Sequence, residues 1–88
     1  MAADRLAIRS VTPNPSSGFV SIRYKAPASG DVKLDIRHAG GELSARLVQG
    51  PHDPGEYTAF ASGLMPGRYI CVLTDPMESV SFGFEVMG

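Results

Sequence analysis

The sequence predicts an all-β domain in which seven short antiparallel strands form two facing sheets. Three observations predict it. Apolar residues recur with a period of two, and no helical period is sustained. Ten glycines and seven prolines punctuate the 88 residues, a density that leaves little room for long helices. Turn signals fall roughly every 8–14 residues, the rhythm of a sandwich.

The strands follow in order. Leu6–Val11 is the first, stopped by Pro13 and Pro15, which cannot donate to a ladder. In Phe19–Lys25, Val20, Ile22 and Tyr24 share one face and Ser21, Arg23 and Lys25 the other. Asp31–Arg37 is the most regular, with Val32, Leu34 and Ile36 set against Lys33, Asp35 and Arg37. Gly40-Gly41 supplies the positive φ of a hairpin. Glu42–Gln49 carries Leu43, Leu47 and Val48 out of alternation, which predicts a bulge or an unsettled register. Gly50–Gly55 reads as a turn-rich loop, and Glu56–Ala61 as a fifth strand with Tyr57 and Ala59 on one face. Leu64-Met65-Pro66-Gly67 turns into Arg68–Thr74, which is apolar on both faces and suits a central position. Asp75-Pro76 turns into Ser79–Val86, where Val80, Phe82, Phe84 and Val86 alternate with Ser79, Ser81, Gly83 and Glu85. The sum is a seven-stranded antiparallel immunoglobulin/fibronectin-like β-sandwich. It forms one domain over residues 1–88, because two halves would each be too small to fold unaided.

Charge narrows the function. Eight Lys+Arg and nine Asp+Glu give a net charge of −1, so the basic excess that tracks phosphates is absent and nucleic acid is not an expected partner. Tyr69–Leu73 is the longest strongly apolar stretch, far short of the ~20 residues that cross a bilayer as a helix. No membrane insertion is expected. Met1–Arg5 lacks the layout of a secretory signal. The expectation is a cytoplasmic protein if the chain stands alone, or a piece of a larger precursor.

Reactive side chains are few. Cys71 is the lone cysteine; alternation places it inside as a small apolar residue. With His38 and His52 it falls one short of a four-ligand zinc site. Asp53 and Glu56 share one loop and Asp75 and Glu78 another, too few oxygens for calcium. Ser16, Ser17, Asp35 and His38 could be written as a hydrolytic triad. The serines instead suit a turn, Asp35 and His38 read as outward surface groups, and no nucleophile elbow occurs. Arg23, Lys25, Lys33 and Arg37 read as outward on two adjacent strands and could form a mild basic strip, but Asp31 and Asp35 interleave and the expectation is a solvated sheet face. No catalytic, cofactor or metal residue is expected.

One constellation goes beyond composition. Val11-Thr12-Pro13-Asn14-Pro15-Ser16-Ser17-Gly18-Phe19-Val20-Ser21-Ile22-Arg23-Tyr24 resembles the opening of the C-terminal sorting domain of the type IX secretion system. It is equally similar to the immunoglobulin-like domain of the flagellar hook-capping family. Gly30–Ile36, Gly41–Gly50, Pro54–Thr58 and Leu64–Tyr69 resemble later segments of the same pattern, in order. Arg37-His38, Ser44, Ala59-Phe60 and the ending Glu85-Val86-Met87-Gly88 depart from it. The resemblance implies a non-catalytic module that directs or anchors a secreted passenger, is read by secretion machinery, and is secreted or held at the cell surface. It implies a reading surface on the terminal hairpin, with Tyr69, Val80, Phe82, Phe84 and Val86 as interaction candidates. The atypical ending keeps a second reading open, an assembly or adhesion module without sorting activity and with a different protein partner.

Overall fold

A computed structural model describes residues 5–15 and 17–87. The strands are β1 (Ala7–Thr12), β2 (Val20–Ala26), β3 (Gly30–His38), β4 (Leu43–His52), β5 (Gly55–Ala61), β6 (Gly67–Thr74) and β7 (Ser79–Val86). They form a three-stranded sheet, β1-β2-β5, facing a four-stranded sheet, β4-β3-β6-β7. Every pairing is antiparallel. The chain is therefore an immunoglobulin/fibronectin-like β-sandwich.

Period-two burial builds the core. Val20, Ile22, Tyr24 and Ala26 of β2 meet Val32, Leu34 and Ile36 of β3 and Tyr69, Cys71 and Leu73 of β6 between the sheets. β6 lies between β3 and β7, which explains its apolar outer residues: Ile70 and Val72 are half-buried there. At about 25 cal/mol per Å² of apolar area, these layers are the main favourable term in folding.

β4 carries the predicted irregularity twice. Leu34 pairs with Val48 but Asp35 with Arg46, and Ile36 pairs with Ala45 but Arg37 with Leu43, so Leu47 and Ser44 are extra residues on β4. β1 has a similar slip at Arg9. Two expectations are corrected here. Gly50-Pro51-His52 is strand, not loop: Val32 pairs with Gly50 and Asp31 with Pro51. A proline is tolerated because β4 is an edge strand, where a missing N–H breaks no ladder. The four basic residues do not lie on adjacent strands either. Arg23 and Lys25 lie on β2 in one sheet, Lys33 and Arg37 on β3 in the other, so their outward faces point to opposite sides of the sandwich.

The chain passes from β4 to β5 and from β5 to β6 through the same five-residue pattern. In Asp53-Pro54-Gly55-Glu56-Tyr57 the Tyr57 hydroxyl donates to the Asp53 carbonyl at 2.6 Å. In Met65-Pro66-Gly67-Arg68-Tyr69 the Tyr69 hydroxyl donates to the Met65 carbonyl at 2.6 Å. Gly55 (φ 153°) and Gly67 (φ 152°) hold matching positive φ values that a side chain would strain. Each tyrosine thus fastens its strand to the turn that delivers it, in the manner of a tyrosine corner.

Candidate interaction surface

Asp35 overturns the expectation of solvated charge. It is 2% exposed although it points away from the core. The first β4 bulge is the cause: displacing Leu47 brings Arg46 opposite Asp35. Arg46 Nε–H donates to Asp35 Oδ1 at 2.9 Å, and the Nη2 groups of Arg46 and Arg37 reach Oδ2, each at 3.5 Å. Arg37 also donates from Nη1 to the Gly41 carbonyl at 3.0 Å, tying the cluster to the β3–β4 turn. The hydrogen bond and the charge of Asp35 raise the Arg46 guanidinium further above its ordinary value. Asp35 is thus committed to two arginines. His38 lies exposed at the end of β3 with its ring 5.1 Å from that of Tyr69. Ser17 is exposed in a turn, and Ser16 lies outside the described residues.

His52 is the second correction. It falls in the segment expected as a turn-rich loop, yet it is half-buried on β4. Its Nε2 lies 2.9 Å from the Tyr24 hydroxyl and its Nδ1 lies 3.1 Å from the Gly50 carbonyl. The neutral tautomer with Nδ1–H donating to Gly50 and Nε2 accepting from Tyr24 satisfies both contacts. Tyr57 completes the cluster, its ring 4.7 Å from His52 and 5.6 Å from Tyr24. Burial, then the neighbouring Tyr57, push the Tyr24 phenol above its usual range. Sequence alone gives no signal for this contact, because His52 and Tyr24 meet only once β4 continues past Pro51.

The carboxylates of the β6–β7 turn have structural partners. Asp75 Oδ1 accepts from the N–H groups of Met77 and Glu78, both at 2.8 Å. Glu78 accepts from the Leu6 N–H at 3.0 Å and pairs with Arg5 at 3.5 Å. Among the described residues no three His, Cys, Asp or Glu side chains gather as a metal set.

Cys71 is buried opposite Phe82, and its thiol approaches the Phe82 carbonyl at 3.4 Å. Desolvation pushes its pKa up to about 11, so the thiolate that reacts is suppressed. The neutral thiol is accommodated below the ordinary value near 9, and that stability is lost as pH rises from about 9 through about 11. The loss is about 2–3 kcal/mol, and the raised Tyr24 phenol acts in the same direction. Urea melts at pH 8 and pH 11 are expected to show this fall, and a thiol reagent at pH 8 should modify Cys71 only on unfolding. Fast modification of the folded chain would contradict the burial.

The interaction candidates divide by depth. Tyr69, Phe84 and Val86 are buried in the core and Val80 is half-buried, whereas Phe82 is 38% exposed. Phe82 faces inward with Phe84, but at the margin of the sandwich the facing sheet does not cover it. Its strand is exposed at Ser79, Ser81, Phe82, Gly83 and Glu85. At its far end the Asn14 side chain reaches across, and Oδ1 accepts the Glu85 N–H at 3.2 Å. Asn14, Arg68, Ile70, Gly83 and Glu85 rim an open hollow of about 370 Å³ beside this clamp. A second apolar patch lies on the outer face of the three-stranded sheet, where Phe19 (48% exposed) and Phe60 (61%) stack with centroids 6.0 Å apart. No protein-family model, curated protein or solved structure matches the chain.

Proposed function

We propose that the chain is a non-catalytic, sorting-type β-sandwich module that directs or anchors a secreted passenger through contacts with secretion machinery. The observation that carries this reading is the Asn14–Glu85 hydrogen bond. Pro13-Asn14-Pro15 opens the motif that resembles type IX sorting domains, and β7 is the strand the resemblance makes the reading surface. The bond joins the two into one surface, which gives the motif a physical role. It ties the end of β7 at Glu85 to the motif.

A reporter fused ahead of the chain in a type IX host tests the proposal. Appearance of the reporter outside the cell is expected. Periplasmic retention, while a known sorting domain exports the same reporter, would overturn it. The open edge of β7 favours a second reading, an assembly module whose partner is another folded chain.

A further inference from the structure

Two sheets have four edges, and the edges differ. β1 carries a bulge and runs into Pro13 and Pro15. β4 carries two bulges and Pro51. Bulges and prolines are the usual protection of an edge. β5 is regular, but at its upper half the His52 ring packs on Tyr57. β7 is regular over its whole length, without proline, lysine or bulge.

The hydrogen-bond phase of β7 follows from its turn. The Asp75 N–H donates to the Glu78 carbonyl at 2.9 Å, which makes 75/78 a hydrogen-bonded pair. Alternation then makes Leu73/Val80, Cys71/Phe82 and Tyr69/Phe84 hydrogen-bonded pairs too. The backbone groups of Ser79, Ser81, Gly83 and Glu85 therefore point away from β6. The Glu85 N–H confirms the phase, since it is bonded to Asn14 instead. Ser81 and Gly83, both exposed, direct their N–H and C=O groups to the open edge.

We propose that β7 pairs antiparallel with β7 of a second copy about a two-fold axis at Phe82. In this register Ser81 of one copy exchanges both backbone bonds with Gly83 of the other, and the reverse. Phe82 faces Phe82 as a non-hydrogen-bonded pair, the closer kind of cross-strand contact. Charge fits the same register: Glu85, the only charged residue of β7, comes opposite Ser79, so no like charges meet. The two-fold is isologous and covers the middle of both edges at once, while the Glu85 N–H stays with Asn14. The result is a continuous eight-stranded sheet with the part-exposed Phe82 rings buried against each other. This pairing goes beyond the sorting reading and stands whether or not the chain is exported.

Sedimentation of the full chain over a concentration series tests it, together with amide hydrogen exchange. A monomer–dimer equilibrium is expected, with exchange at Ser81 and Gly83 slowing as concentration rises while Glu85, already bonded, stays constant. Ser81→Pro removes an outward donor and no bond to β6. It is expected to weaken the dimer roughly tenfold to a hundredfold while leaving the monomer's circular dichroism unchanged. Phe82→Glu, which sets like charges opposite each other, is expected to weaken it too and serves if the proline variant does not fold. A chain monomeric at about 1 mM, a dimer indifferent to both variants, or one dissolved by Phe60→Ser instead would overturn the proposal.

Discussion

Truncating Leu34 to alanine is expected to lower the unfolding free energy by about 2–5 kcal/mol, the range for deleting a buried leucine side chain. The site is severe for three reasons. Leu34 is fully buried. It lies on β3, the strand with a neighbour on each side in the larger sheet, opposite Val48 of β4 and Leu73 of β6. Those flanking strands hold their ladders in place, so the space left cannot readily collapse and the cavity term adds to the transfer term. In a domain this small 1 kcal/mol shifts the melting temperature by about 4–8 °C, so calorimetry should find a fall of about 10 °C or more. A fall of only a few degrees would mean that the two sheets close over the vacancy.

Asp35→Ala is expected to cost about 1.5–3 kcal/mol, the worth of hydrogen bonds to a buried charged group. An ordinary surface ion pair contributes at most about 1 kcal/mol, so the value distinguishes a buried carboxylate from a solvated one. Burial also predicts weak salt dependence, since screening acts least on covered pairs. Replacing Arg46 instead leaves the carboxylate covered with only Arg37 at 3.5 Å, so Arg46→Ala should also destabilise. Replacing both residues by leucine should recover part of the loss, because apolar substitution of a covered ion pair is often neutral or better. Urea melts at low and high salt measure both effects. A loss for Asp35→Ala below about 0.5 kcal/mol would return the residue to the solvated class.

Most of the fold was legible because it rests on local pattern. The alternation of Val32, Leu34 and Ile36, and the two-sided apolar run in β6, fixed which residues face inward and which strand is central. Misread features depend on register, which no local pattern carries. Asp35 is outward by parity, and only the bulge at Leu47 puts Arg46 over it. His52 follows a proline and reads as loop, and only the extension of β4 brings it to Tyr24. At the surface, the period of two groups Phe82 with Phe84 and Val86, and only the limited width of the facing sheet leaves Phe82 part-exposed while the other two are buried. Asn14 stood in the motif, while its bond to Glu85 spans 71 residues and leaves no trace in spacing.

The paired Pro-Gly-x-Tyr corners also decide where this scaffold can accept foreign sequence. Tyr57 and Tyr69 each reach back four residues to a carbonyl, so a peptide inserted between Asp53 and Tyr57, or between Met65 and Tyr69, separates donor from acceptor at a crossing between sheets. The Gly40-Gly41 hairpin joins neighbouring strands of one sheet, and its tip is exposed. There an insertion puts at risk one exposed side-chain hydrogen bond, Arg37 to the Gly41 carbonyl, and otherwise adds the slowly growing entropy of a longer loop. For grafting an epitope or a tag, the hairpin tip is the permissive port and the two tyrosine corners are closed ones.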